Sequence, residues 1–388
     1  MEYVKLKELA DIYLGLTHTP TYVEKGIPFL SVKDISGGSI DFSNCHYITE
    51  EEYNSLPEGA KPKNGDMLFC RVGTIGKPII IEKNVQKFGS FVSLGFLRKK
   101  SDKILLEYLK YWMSSNLFYQ QVKQNVKGVA QVNLNTTWLK EFNIPKISID
   151  EQKKIVNKLS KIENLIQIKN NEIKKLNQLI KSQFVEMFGD ININSNGYTE
   201  SKLSSHLTVI GGYAFKSKDF KDYGVPVLRI GNINAGYFRP KDLMFWDEDL
   251  KLENYTIYPG DVVMSLTGTV GKDDYGNICI MGNDYNKYYL NQRNAKLILK
   301  DTIKSCYITY ALRIPEIKKR LTGISRGVRQ ANISNRDIEN LSIPVPPIEL
   351  QNKFAQIVEQ IDKQKFEFEK SLRKLEELQA SLMQEYFG

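Results

Sequence analysis

Histidine and cysteine are scarce in this chain of 388 residues, with three of the first and four of the second. His18, His46 and His206 form no His-Glu-x-x-His pair, and Cys45 and His46 are too close in sequence to make an ordinary two-ligand metal clip, so no zinc centre is indicated. Cys45, Cys70, Cys279 and Cys306 lack C-x-x-C spacing and fit the reduced, mostly buried thiols of a cytosolic protein. No apolar run approaches the roughly 18 residues that a membrane span needs. The opening MEYVKLKELADIY is charged every few residues, unlike a signal peptide. These absences predict a soluble cytoplasmic protein with no membrane partner. Also missing are a G-x-S-x-G elbow, a G-x-G-x-x-G turn after a strand, and the Asp/Asn-Pro-Pro-aromatic signature of an adenine methyltransferase. Catalysis by the chain itself is therefore disfavoured, and no cofactor or metal is expected.

What is present is a duplication. Gly128/Gly327, Gln131/Gln330, Asn133/Asn332, Ile144-Pro145/Ile343-Pro344, Gln152/Gln351 and Phe188-Gly189/Phe387-Gly388 are all separated by the same distance along the chain, with no insertion between them. Side chains on a rigid element reproduce their contacts only when spacing is kept, so two copies of one substructure are expected, related by a pseudo-two-fold axis. The front halves also correspond, at shifting offsets that mark loops of different length. GIPFLSVKDI from Gly26 answers GVPVLRIGNI from Gly224, and GTIGK from Gly73 answers GTVGK from Gly268. Runs such as IPFLSV, MLFCRV and PIIIE, with VPVLRI and DVVMSL in the second copy, read as strands, and Leu105, Tyr108, Leu109 and Trp112 have helical spacing. Each front half is thus a mixed α/β globule.

After each globule, the prolines of Ile144-Pro145 and of Ile343-Pro-Val-Pro-Pro347 punctuate the chain and precede a helix. Heptad positions in copy one are Ile155, Leu159, Ile162, Ile166, Lys169, Ile173, Leu176, Ile180, Gln183 and Met187. In copy two they are Phe354, Val358, Ile361, Lys365, Phe368, Leu372, Leu375, Gln379, Leu382 and Tyr386. An apolar seam sustained this long argues for coiled-coil pairing, with Ile155, Leu159, Ile162, Ile166, Phe354, Val358, Ile361 and Leu372 as the pairing residues. The alternative is a long helix lying on its own globule. Each rod would measure roughly 57 Å at 1.5 Å per residue. Antiparallel pairing would hold the globules apart, as in a dumbbell, with the flexible turn GDININSNG from Gly189 between the copies. The expected domains are residues 1–147, spacer helix 148–189, residues 190–346 and spacer helix 347–388.

The glycine-rich GTIGK and GTVGK fail as phosphate loops. Arg71 and Leu266 stand at the first glycine position of a Walker A loop, and Pro78 and Asp273 at the hydroxyl position, so a tight turn with glycine at positive φ is expected. The basic residues are more informative. Lys and Arg number 54 against 45 acidic residues, a net charge of +9 that suits a polyanion. Arg313, Lys318, Lys319, Arg320, Arg326 and Arg329 crowd one segment, and Lys123, Lys127 and Gln131 occupy its counterpart. Arginine can read guanine by a bidentate contact and Asn or Gln can read adenine, so Lys127, Gln131, Arg320, Arg326, Arg329 and Gln330 are candidate DNA contacts, with Arg71 and Arg229 beside strands as weaker ones. Gln131/Gln330 and Asn133/Asn332 carry a second reading: residues repeated in both copies suit a structural junction better than two different base sequences.

Taken in order, GYAFKSKDF from Gly212, the two strand blocks, GDVVMSLTGTVGK and GDMLFCRVGTIGK, the Gln-x-Asn and Ile-Pro runs and the Glu151-Gln152 pair, answered by Gln351 in copy two, resemble the specificity subunit of type I restriction-modification systems, over essentially the whole chain. Copy one departs in having Leu14-Gly15-Leu16-Thr17 where copy two has GYAFKS. The resemblance implies an α+β fold with two similar target-recognition domains joined by two long antiparallel coiled-coil helices. It implies a non-catalytic subunit that reads a bipartite site on double-stranded DNA, with DNA methyltransferase subunits, two of them, docked on the helices. A restriction/translocase subunit joins such complexes when they cut. At about 3.4 Å per base pair, the rods would span at most ~17 base pairs. Two other classes stay open at the level of sequence: a DNA-modifying enzyme with unrecognised motifs, and a coiled-coil scaffold that binds only protein.

Overall fold

The computed structural model describes residues 2–125, 133–234, 236–323 and 330–388. It divides into two compact units, Met1–Asn170 with Lys370–Gly388, and Asn171–Glu369. The division runs through both long helices. Each unit holds one globule, the first part of that globule's own long helix and the last part of the other helix.

In unit 1 a four-stranded antiparallel sheet has the order Ala10–Leu14, Leu94–Lys99, Met67–Cys70, Gly76–Ile80. Successive residues of its buried strand serve two cores, as the two-residue period of a strand requires. Met67 and Phe69 pack with Trp112, Phe118 and Leu159, whereas Leu68 and Cys70 pack with Leu30, Phe88 and Phe96. A second sheet has Ile27–Leu30 between His46–Ile48 and Gly89–Ser90. Unit 2 repeats the scheme. Leu207–Gly211, Asn294–Leu299, Val262–Ser265 and Ile278–Ile280 form its antiparallel sheet, and Met244–Trp246, Val225–Leu228, Tyr288–Leu290 and Thr256–Ile257 form the other. The expected glycine-rich turn is present in unit 1, with Gly73 and Gly76 at φ 72° and 84°. In unit 2 only Gly271 of that block has positive φ, because Gly268 lies in strand Thr267–Thr269 paired to Gln330–Asn332.

The strand before each long helix is the Ile-Pro run itself. Asn143–Pro145 pairs with Tyr3–Lys5, and Ser342–Pro344 with Glu200–Lys202. The first long helix, Ile149–Phe188, starts from a capping box in which the Ser148 amide donates to Glu151 Oε2 at 3.0 Å and the Glu151 amide to Ser148 Oγ at 3.3 Å. The second, Ile348–Phe387, follows three prolines instead. A glutamine fixes each start to its globule. Gln152 Oε1 accepts from the Leu105 amide at 2.9 Å, and Gln351 Oε1 from the Lys304 amide at 2.8 Å, while the Nε2 groups donate to loop carbonyls. Both glutamines are fully buried, so their repetition has a structural cause.

All twenty heptad positions are buried or half-buried. Leu159, Ile162, Phe354, Val358 and Ile361 are buried, and Ile155, Ile166 and Leu372 half-buried. Pairing is antiparallel within each unit. In unit 1 Ile155 and Leu159 share a core with Leu382, Met383, Tyr386 and Phe387 from the end of the second helix. In unit 2 Phe354, Val358 and Ile361 share one with Ile180, Phe184 and Phe188 from the end of the first. Each helix thus delivers its last phenylalanine to the globule of the other copy, Phe387 against Tyr108 and Phe188 against Tyr307, both at 5.0 Å between ring centres.

The segment between the copies is not the flexible turn its composition suggests. Ile191 is buried in the core of unit 2, Arg320 donates to the Asn192 backbone and side chain at 2.9 Å, and Asn194 bonds both backbone groups of Tyr198. Asn and Ser act here as local caps that hold the loop to its domain.

Candidate nucleic-acid interface

Of the residues marked as DNA contacts by sequence, Lys127, Gln131, Arg326 and Arg329 lie outside the described residues. Gln330 is described only through its backbone, at the start of strand Gln330–Asn332 opposite Thr269. The other three are held within the fold. Arg71 is buried and donates to Leu134 O (3.0 Å), Val92 O (2.8 Å) and Asn133 Oδ1 (3.1 Å), tying together the loops on either side. Burial pulls its guanidinium below the usual arginine value. Arg229 donates from Nη2 to Asp242 O at 2.6 Å, and its buried Nε has no partner among the described residues. Arg320 is exposed and engaged with Asn192.

The rest of the basic segment divides in the same way. Lys318 is buried, paired with Asp273 and donating to Asn277 Oδ1 at 2.7 Å. Arg313 spans Ile278 O at 3.2 Å and Gly236 O, its guanidinium 5.2 Å from the Tyr310 ring. Lys319 points to solvent on the same helix, Pro315–Thr322. Lys318 and Arg313 therefore help build the domain. Among the described residues no group of His, Cys, Asp and Glu could hold a metal ion. Burial pushes the Cys70 and Cys279 thiols up to about 11 and about 12, away from nucleophilic use.

One loop in each unit has the same frame and different tips. Gly38 and Gly236 have φ 87° and 77°, and their amides donate to Ile35 O and Ile233 O at 3.0 and 2.9 Å. Three residues on, the Asp41 amide donates to Asp34 O at 2.8 Å and the Arg239 amide to Asn232 O at 2.7 Å. Ile40 and Phe238 turn inward at the intervening position, Phe238 lying 5.2 Å from Tyr288. The outward positions differ completely. They are Ser39, Asp41 and Ser43 in unit 1 and Tyr237, Arg239 and Lys241 in unit 2, all exposed. Sequence reading missed this pair because nothing but a glycine and a constant offset marks it. The offset that relates Gly26–Ile35 to Gly224–Ile233 runs on through it to His46–Ile48 and Met244–Trp246. Nearby in unit 1, Tyr22 stacks on His46 at 4.2 Å, and Lys33 Nζ lies 3.4 Å from His46 Nε2.

A mixed α/β domain present twice, each copy locked by a buried glutamine to a long helix that finishes in the other copy's core, defines a class of protein with duplicated domains and paired helices. Residues 1–178 and 196–380 each match the family described as Type I restriction modification DNA specificity domain, and the chain belongs to that family. It is similar to the candidate type I restriction enzyme MjaX specificity subunit of Methanocaldococcus jannaschii, with 25% identity over 96% of this chain and 91% of that protein. It is similar also to the MjaVIII specificity subunit of the same organism, 26% identical over 80% of this chain and 77% of that protein. In fold it resembles the Type I restriction-modification system S subunit from M. genitalium, with a TM-score of 0.60 and 16% identity over 100% of this chain and 96% of that one. The coarse role follows from the family: DNA target recognition in a type I restriction-modification system.

Proposed function

We propose that each globular domain reads one half of a bipartite sequence on double-stranded DNA, and that the paired helices set the spacer between the halves and dock methyltransferase subunits, which carry the chemistry. The observation that bears most weight is the repeated family domain, each copy leading into an unbroken helix of 40 residues with a buried seam. A rigid connection raises the effective concentration of the second domain once the first is bound, so two modest affinities multiply. Apolar residues off the seam support docking: Leu165, Ile168, Leu179 and Val185 on the first helix and Phe366 and Leu378 on the second stay exposed. A net charge of +9 suits the polyanion. No helix among the described residues is long and apolar enough to cross a membrane, and with DNA as partner the working place is the cytoplasm.

Inserting one heptad at matching points of both helices tests the reading. Seven residues add about 10 Å, or about 3 base pairs, so the unspecified gap in the methylated sequence should lengthen by that amount while both half-sites stay the same. A gap of unchanged length would count against the spacer role. Methyl transfer by the purified chain alone would establish an enzyme instead, and binding by the assembled complex that ignores salt would favour a protein scaffold.

A further inference from the structure

We infer that the loop Gly236–Asp242 is the base-reading tip of the second domain, with Arg239 recognising guanine in one half-site; this rests on the bipartite reading proposed above.

The loop is held rigid by the fold. A contact that discriminates bases must be held in place before binding, since a loose side chain gives back in ordering what it gains in contact. The loop is gripped through its own carbonyls. Buried Asn232 donates from Nδ2 to Arg239 O at 3.1 Å and to Lys241 O at 2.9 Å, Arg313 donates to Gly236 O, and Arg229 to Asp242 O. Phe238 anchors the loop's middle in a core with Leu228, Met281 and Tyr288. These side chains serve the backbone, which leaves the tips for another use.

At the tip, Arg239 is paired with Tyr237. The Arg239 guanidinium lies 4.9 Å from the Tyr237 ring and donates from Nη2 to the Tyr237 hydroxyl at 2.7 Å. Its other side-chain donors meet no acceptor among the described residues. Tyr237 is 55% exposed, a large ring left in water without an internal reason. A guanidinium held beside an aromatic ring by a hydrogen bond to its hydroxyl is oriented in advance, and its remaining donors suit the O6 and N7 acceptors of guanine.

The two copies contrast at these positions. Two domains that read different half-sites need one frame and different tips, and this loop is where frame and tip separate. Ser39, Asp41 and Ser43 in unit 1 offer no cation at all, and Asp41 is held by the Ser43 amide at 2.8 Å. A carboxylate there accepts from an exocyclic amine of cytosine, not from guanine O6 and N7. Structural residues such as Gln152 and Gln351 are the same in both copies; these are not.

The test is selection from a duplex library randomised at every position, using the full chain assembled with its methyltransferase subunits, as wild type, Arg239→Ala and Arg239→Lys. Wild type is expected to enrich a bipartite sequence with guanine fixed at one or two positions of one half. Arg239→Ala should lower that guanine preference by about 5- to 150-fold and leave the other half untouched. Arg239→Lys should lose the same preference while holding the affinity and salt slope for unrelated DNA, because charge is kept and the fork is lost. If Arg239→Ala keeps every base preference, the residue touches phosphate or nothing and the inference fails while the bipartite reading stands. If wild type itself enriches no bipartite sequence, the bipartite reading fails first.

Discussion

The two places where a long helix leaves its globule share a backbone plan and differ in chemistry. In unit 1 the Glu163 carboxylate accepts from Lys110 Nζ at 3.0 Å and from the Tyr111 hydroxyl at 2.9 Å, across a crevice of about 480 Å³. In unit 2 the corresponding residues are Asp362, Thr309 and Tyr310. The acid is one methylene shorter, the lysine is gone, and the crevice opens to about 1280 Å³. Asp362 is exposed and makes no hydrogen bond among the described residues. Desolvation raises it above the ordinary aspartate value, against the pull of Lys365 and Arg313. Behind these acids unit 2 stacks Phe184, Phe188, Tyr307 and Phe354, where unit 1 has Met383, Phe387, Tyr108 and Ile155. Duplication has kept the shape of the joint and let the interactions filling it diverge. Aromatic packing dominates one joint, and aliphatic packing with an ion pair the other.

The largest effects should come from the exchanged rings. Phe188→Ala should destabilise unit 2, and Phe387→Ala unit 1, each by about 3–5 kcal/mol, since both rings are fully buried. Hydrogen exchange resolved along the sequence should show the loss in the globule of the other copy; protection lost only in the helix's own globule would break the crossed arrangement. Next comes the arginine that has no counterpart. Arg71→Ala should cost about 2–3 kcal/mol in unit 1 by orphaning Leu134 O and Val92 O, with the salt slope of DNA binding unchanged. In unit 2 the matching Leu266 is an ordinary core residue. The buried glutamines should be equal: Gln152→Ala and Gln351→Ala are each expected to cost about 1–3 kcal/mol in denaturant unfolding, and a large inequality would mean that the joints are not equivalent.

The acids give the smallest and sharpest contrast, because their signs are opposite. Glu163→Gln should lose about 0.5 kcal/mol, a half-exposed ion pair. For Asp362 the folded value lies above the unfolded one. Its favourable contribution is therefore complete below the ordinary value of 3.8 and disappears as pH rises through the folded value. At neutral pH Asp362→Asn should accordingly stabilise unit 2 by roughly 0.5 kcal/mol, discounted for solvent screening. Unfolding of both variants between pH 4 and 7 checks the signs.

Spacing carried most of the architecture. The heptad positions, the Ile-Pro boundaries before the long helices and the repeated Gln152 and Gln351 were legible because period and offset are properties of the chain itself; that the Ile-Pro runs are themselves strands was not. Where a side chain spends its hydrogen bonds was not. Arg71, Arg313 and Lys318 look alike as basic residues, yet each is committed to particular oxygens that only the folded loops bring near. The linker was misread because Asn and Ser count as loop formers whether a loop is slack or pinned, and Arg320 supplies the pin from a distant helix. The Tyr237–Arg239 tip went unseen because its counterpart, Ser39–Asp41, shares a frame and almost no side-chain identity.

Phe387 in the cavity beside Tyr108 also has a temporal meaning. The N-terminal unit cannot close its core until Phe387, far along the same chain, has been made, so it must wait, incompletely packed, while the second copy is synthesised. Loss of the last turns of Ile348–Phe387 should then unsettle the N-terminal unit, which lies far from the lesion along the chain.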